Sequence, residues 1–334
     1  MKSRCVPALA VLLGAVSIAS AEDVVVLDSG NRMTGTIAEL SRGELRFSIA
    51  GAGSVDIDWR NVVELRSPER FYIELTSGER HTGTLEATAG QLTIATEAGS
   101  RRMDIGEVLR IEPSSKSRFI ERLGGSVDGG FDFLSANDEV DWTINAAVEH
   151  RTRHYLTEAA LHSLLRRRDG STAQRRNHFN IGTRRLLDNR WFVLGQLILE
   201  EDRELDLDSR ALLGLALGRT LSQSHRATVA VYGGVDADRV EFRGLDSDTL
   251  FELHGAIEWD WFDVGGDHEV QFETVTYYAP DRSRVRVEVQ AVLRRAIAND
   301  FYWALRLYES YNSDPPEQYE NSDLGIGITI GRSF

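Results

Sequence analysis

From about Gly124 onward, segment after segment of ten to fourteen residues alternates between apolar and polar side chains. Phe251, Leu253, Gly255, Ile257, Trp259 and Trp261 alternate with Glu252, His254, Ala256, Glu258 and Asp260. Val285, Val287, Val289, Ala291 and Leu293 alternate with Arg284, Arg286, Glu288, Gln290, Val292 and Arg294. Phe301, Trp303, Leu305 and Leu307 alternate with Tyr302, Ala304, Arg306 and Tyr308. A period of two is the signature of a strand with two unlike faces. These segments are about twice the usual strand length and fit a tilted bilayer crossing. In lipid every backbone polar group needs an internal partner, so strands cross only as a closed barrel. The fold class expected is therefore all-β, with an antiparallel transmembrane β-barrel.

Twelve strands are predicted, at residues 124–134, 139–150, 153–165, 176–186, 190–201, 206–219, 225–237, 247–261, 267–279, 284–296, 300–312 and 322–334. An even number is what single-chain bacterial barrels require. Short links are predicted at Leu187-Asp188-Asn189, Ser222-Gln223-Ser224, Asp263-Val264-Gly265-Gly266 and Asn299. Longer, charged links are predicted from Arg166 to Gln174, Asp238 to Asp246 and Asp314 to Asn321. That alternation matches short periplasmic turns and longer outer loops. Trp191, Trp259, Trp261, Phe301, Trp303 and Tyr311 sit at strand ends, where aromatic belts meet the membrane interfaces. The alternative is a soluble sandwich or lipocalin-like barrel with the apolar face inward.

In the last predicted strand Leu324, Ile326, Ile328 and Ile330 share one face. Gly325, Gly327, Thr329, Gly331 and Ser333 share the other, and Phe334 follows. This pattern resembles the C-terminal strand of bacterial outer-membrane proteins, which the barrel-assembly machinery recognises. The resemblance makes Ile326, Ile328, Ile330 and Phe334 the expected assembly signal. Arg332 departs from the pattern; near an interface its long side chain can snorkel out of the lipid.

Residues 1–21 pair a basic start (Lys2, Arg4) with an apolar core and end in Ala19-Ser20-Ala21, which predicts a secretory signal peptide. The single cysteine, Cys5, lies inside it, so no disulfide is expected in the exported chain. Residues 22–67 and 70–113 repeat one another: Ser29-Gly30-Asn31-Arg32-Met33-Thr34-Gly35-Thr36 aligns with Ser77-Gly78-Glu79-Arg80-His81-Thr82-Gly83-Thr84. Each copy reads as about five short strands, with a turn at Ser-Gly and a bend or bulge at the glycine of Thr-Gly-Thr. Two small SH3- or Sm-like β modules are expected, with a linker at 114–123 and the barrel at 124–334. A formal charge of -14 argues against a nucleic-acid binder, which needs a basic footprint, and no nucleic-acid partner is expected.

Catalytic and metal readings are weak. His162 has a neighbouring serine, Ser163, but adjacent strand residues point to opposite faces. His150 and His154 straddle a predicted turn. The acidic run Glu200 to Asp208 matches no calcium-loop spacing and reads as a solvated outer loop. Asp236, Asp238 and Asp246 read as acids near the outer rim. No enzyme activity, cofactor or metal is expected. Glu252, Glu258, Asp260, Arg284, Arg286, Arg294 and Arg306 are the lumen-lining candidates. They could plug the interior as ion pairs or line a small-solute path; the glycine-rich inner face of the last strand tilts the reading toward a pore.

The segments Tyr311-Asn312-Ser313-Asp314-Pro315-Pro316 and Asn321-Ser322-Asp323-Leu324-Gly325-Ile326-Gly327 resemble the end of an outer-membrane family. It is domain of unknown function 481, which includes a salt-induced outer-membrane protein. The resemblance covers the C-terminal two thirds and implies an outer-membrane barrel; no catalytic residues carry over from it. The expected role is a narrow passive channel or an envelope-integrity protein. The alternative is a periplasmic binding or adaptor protein anchored by a plugged barrel; an outer-membrane hydrolase is a third reading. Expected partners are outer-membrane lipid and lipopolysaccharide, the barrel-assembly machinery, and a periplasmic partner for the tandem module.

Overall fold

The computed structural model describes residues 22–115, 119–134, 139–168, 171–203, 206–298, 300–315 and 321–334. The predicted signal peptide lies outside these residues.

The repeated stretch forms one sheet of nine strands: β1 (Asp23–Leu27), β2 (Arg32–Ser41), β3 (Glu44–Ile49), β4 (Gly53–Asp58), β5 (Val62–Leu75), β6 (Arg80–Thr88), β7 (Gln91–Thr96), β8 (Gly99–Asp104) and β9 (Val108–Pro113). Each copy supplies its expected strands, and β5 serves both, ending the first copy and starting the second. The copies also exchange pairings. Leu65 of the first copy lies opposite Ala87 of the second, and Leu40 of the first lies opposite Ile111 of the second. One core results, with Trp59, Phe47, Phe71, Leu40 and Ile111 all buried. Trp59 also donates its indole N–H to the Ile105 carbonyl at 2.9 Å, so a first-copy side chain holds a second-copy turn. Gly30 and Gly78 take φ of +83° and +84° in the predicted turns, a conformation that favours glycine. A Cβ on Gly35 or Gly83 would run into the carbonyl of Ser48 or Ala95 on the next strand, which explains the glycine inside each Thr-Gly-Thr.

The rest of the chain forms β10 (Leu123–Leu134), β11 (Glu139–Arg151), β12 (Tyr155–Arg168), β13 (Ser171–Leu186), β14 (Trp191–Asp202), β15 (Leu207–Gln223), β16 (Ala227–Phe242), β17 (Asp248–Phe262), β18 (His268–Ala279), β19 (Arg284–Ala298), β20 (Phe301–Asn312) and β21 (Ser322–Ser333). They close as a twelve-stranded antiparallel barrel. The last strand meets the first: Ser333 pairs with Ser126, Ile330 with Gly129, and Phe334 and Gly125 exchange backbone bonds of 2.9 and 3.0 Å.

The apolar face points outward. Leu213, Leu215, Leu217, Val235, Phe251, Leu253, Ile326, Ile328 and Ile330 are exposed, while Leu212, Asp236 and Glu252 between them are buried. This is the inverse of a soluble barrel and defines a lipid-facing belt. Arg332 lies at its edge, 3.1 Å from Asp300 and stacked over Phe301.

Two expected features of the links are corrected. Strands β12 and β13 extend to Arg168 and back from Ser171, and β16 continues through Asp238 to Phe242. The described parts of two charged segments expected as links, 166–168 with 171–174 and 238–242, are therefore strand ends, while Asp246 stays in the link between β16 and β17. The expected link from Asp314 to Asn321 lies partly outside the described residues. Cross-strand pairs keep these ends extended: Arg166 bonds Asp141 at 2.7 Å and Arg210 bonds Asp238 at 2.6 Å.

The nine-stranded module packs against one end of the barrel, over the turns at residues 152–154, 187–190, 224–226 and 263–267. Arg80 donates to the Leu186 and Leu187 carbonyls at 3.2 and 2.9 Å. Gln223 donates to the Leu75 carbonyl at 3.0 Å, and Gly265 N–H donates to Glu44 at 3.0 Å. His225 Nε2 lies 2.7 Å from the Val108 carbonyl. At the centre Arg151 bonds Glu74 at 2.7 Å, both side chains largely buried. Burial alone would push the Glu74 carboxyl up, but Arg151 and Arg110 hold it below its ordinary value of 4.5. A depressed carboxylate stabilises the docked state above its ordinary value and loses that contribution as pH falls through the docked one. Docking is therefore expected to loosen below about pH 4.5. Amide hydrogen exchange in the four turns should rise there in the native chain and change less with pH in Glu74→Gln.

Candidate functional site: the barrel lumen

Strand alternation decides which side chains enter the barrel. The even-numbered residues of β17, β19 and β20 point inward, so all seven lumen candidates face the interior. The structure brings three of them together. Arg284 Nη2 lies 2.7 Å from Glu252 Oε1, and Arg286 Nη2 lies 3.1 Å from Glu252 Oε2. Arg286 also pairs with Glu288 and stacks over Tyr277 at 3.9 Å.

The same cluster contains residues that sequence reasoning missed. Arg210 grips Asp238 with two parallel bonds, Nε to Oδ1 at 3.0 Å and Nη2 to Oδ2 at 2.6 Å. Its Nη1 lies 3.5 Å from Glu200. Three guanidiniums thus share four carboxylates. Asp238, expected near the outer rim, and Glu200, expected in a solvated loop, both point into the lumen from extended strands, which corrects the loop placement of Glu200. Asp202, from the same acidic run, is fully buried and bonds Arg176 at 2.5 Å. Asp236 is also buried, 2.5 Å from His254 Nδ1. The signal is present as inward parity on β14 to β16, on the face opposite Leu213, Leu215 and Leu217.

The other candidates lie apart from this cluster. Glu258 pairs with Arg184, whose guanidinium stacks over Phe192 and Tyr232. Arg306 bonds Asp128 at 2.7 Å, and Tyr302 and Asn145 donate to the same carboxylate. Arg294 lies over Tyr302 and 3.9 Å from Glu269. Asp260 shares the module end of the lumen with Glu258, Glu158 and Glu269.

Some of these pairs cross the lumen. Arg184 on β13 reaches Glu258 on β17, four strands away, with one bond of 2.7 Å. Arg176 on β13 reaches Asp323 on β21 at 2.6 Å, four strands away in the other direction. Beside Arg184 runs an apolar wall. Phe192, Tyr232, His254 and Tyr277 follow one another with ring centroids 6.3, 5.9 and 6.0 Å apart, packed with Leu194, Leu212 and Val275.

The space expected beside the inner glycines is mostly filled. A Cβ on Gly325 would strike the Tyr308 ring, and one on Gly331 would strike Asp128 and, at 2.8 Å, Tyr302. Gly218 receives Phe192 and Tyr232 in the same way. Only Gly327 of the last strand's three faces open space. Gly218→Leu should therefore cost about 1–3 kcal/mol through overpacking, read as a lower temperature for loss of the heat-modifiable folded band.

Ser163 bonds Asn177 at 2.8 Å, whereas His162 points to the opposite face and bonds Asn145 at 2.6 Å. The two do not form a nucleophile–base pair.

Residues 127–334 match the family model described as protein of unknown function, DUF481. No curated protein matches the chain. Among solved structures, the NanC porin is similar at 13% identity and a TM-score of 0.39, covering 64% of this chain and 98% of that one. The β domain of the Bordetella autotransporter BrkA is similar at 12% identity and a TM-score of 0.36, covering 64% and 98%. The KdgM porin, in complex with disordered oligogalacturonate, is similar at 9% identity and a TM-score of 0.33, covering 63% and 98%.

Proposed function

Since the chain belongs to the family described as protein of unknown function, DUF481, its role has to be read from its own geometry, and we propose that it is a closed outer-membrane anchor. In this reading the barrel holds the nine-stranded module at the periplasmic face, where the module engages a partner of the cell envelope. It carries no catalytic chemistry.

The observation that supports this reading is the pairing of side chains across the lumen. Arg184 with Glu258, and Arg176 with Asp323, join walls that a channel would keep apart. The apolar wall around Tyr232 fills the space beside them. The docked module then covers the turns at one barrel end. Water and ions have to displace these pairs to pass, and for the largely buried Arg184–Glu258 pair that displacement is costly.

A narrow passive channel is the second reading. It is favoured by the open space at Gly327 beside Arg306. Recording from the purified full chain in a planar bilayer separates the two. The closed anchor predicts no stable conductance steps at neutral pH. Long-lived, reproducible steps that shift in ion selectivity on Arg306→Glu would establish the channel instead.

A further inference from the structure

The outer wall of the barrel carries a groove of about 820 Å³. Leu213, Leu215, Val235, Phe251 and Leu253 line it, with Gly195 in its floor. These are outward residues of β14 to β17, and the inward residues behind them (Leu212, Asp236, Glu252) are buried. The wall behind the groove is packed on its lumen side, and the concavity lies on the lipid side. Its volume falls within the range of about 300–1,000 Å³ typical of small-ligand pockets. A Cβ built on Gly195 meets nothing within 4 Å, so the floor is open.

The groove follows one paired row across the wall, from Thr183 and Gly195 on the module side to Pro280 and Asp281 of the link between β18 and β19, at the barrel end opposite the module. One row above, Arg239 is the outward residue paired between Ala211 and Thr249. It is exposed, and among the described residues its guanidinium has no carboxylate partner, only Ser247 at 3.3 Å. Nearby Arg282 and Arg243, by contrast, are paired with Asp248 and with Asp206 and Asp208.

A trough open to acyl chains beneath a guanidinium that has no carboxylate partner among the described residues is complementary to a phosphorylated, multiply acylated lipid. The surrounding belt faces the bilayer, so the occupant comes from the membrane. We infer that the groove holds an acyl chain of lipid A, the membrane part of lipopolysaccharide, with a lipid A phosphate at Arg239. This rests on the reading that the module is periplasmic, which sets the opposite barrel end in the outer leaflet.

The test uses the full-length protein in detergent, with purified lipid A and phosphatidylethanolamine as separate probes and native mass spectrometry as the readout. Gly195→Trp places a ring in the groove from a position where a Cβ meets nothing within 4 Å, and Arg239→Gln removes the charge from an exposed position. Heat-modifiable mobility confirms that both variants fold. The native chain is expected to retain lipid A in preference to phosphatidylethanolamine. Each variant is expected to weaken lipid A binding by about tenfold, as loss of a charged hydrogen bond or of a buried chain does. Lipid A binding to Gly195→Trp at the native level overturns the groove assignment, and equal retention of both lipids overturns the headgroup assignment. Orientation is read separately: proteolysis of the module on intact cells would overturn the periplasmic reading, and the leaflet assignment with it, whatever the variants do.

Discussion

Glu252→Gln should destabilise the barrel by about 3–5 kcal/mol, the usual effect of breaking a buried ion pair from one side. Glu252 is the carboxylate shared by Arg284 and Arg286, and all three side chains are buried. The amide keeps the shape and removes the charge, so two guanidiniums lose their common counter-charge in a site that water does not reach. Nearby carboxylates compensate unevenly. Asp238 lies 3.8 Å from Arg284 but is already held by Arg210, whereas Glu288 can keep Arg286. Arg284 is therefore the group left exposed to the full desolvation penalty. The check is the urea midpoint for loss of the folded band in lipid. Glu252→Gln/Arg284→Met should recover a large part of the loss, because it removes the orphaned charge as well. Failure of that recovery would mean that the cluster is solvated and the lumen open.

Trp59→Ala should cost the module about 3–5 kcal/mol, the range for truncating a large buried aromatic. That is comparable to the stability of a domain of this size, commonly about 0.05–0.15 kcal/mol per residue. Both copies should be lost together, because Trp59 belongs to the first copy and its indole holds the Ile105 carbonyl of the second. The barrel should keep its heat-modifiable mobility, since its strands pair only among themselves. Hydrogen exchange would show amides of β1 to β9 exchanging as a unit. Protection surviving in β6 to β9 alone would contradict a shared core.

The barrel was legible because a two-faced strand in lipid has few solutions. Leu213, Leu215 and Leu217 alternate with Gly214, Ala216 and Gly218, and no other architecture places such faces correctly over twelve long segments. Strand ends were less legible. A run such as Glu200-Glu201-Asp202 looks like a solvated loop until Arg176 and Arg210 are seen opposite it on neighbouring strands. Charge in a single segment carries no information about a partner two dozen residues away. The inner glycines failed for a related reason. Gly325 predicts a gap, but whether the gap is empty depends on the Tyr308 ring reaching across from β20. The repeat gave two copies, whereas their exchange of pairings depends on contacts between copies, which similarity within copies does not encode.

That exchange bears on how the module forms during export. Leu40 waits for Ile111, and Ala87 of the second copy meets Leu65 of the first. A chain emerging residue by residue therefore cannot complete the first copy while the second is still threading through. The first four strands stay short of their closing neighbour until nearly the whole repeat has been delivered, and pairings this distant in sequence are slow to form. During that interval the unpaired face of β2 is open to the soluble chaperones, or the proteases, of the compartment it enters.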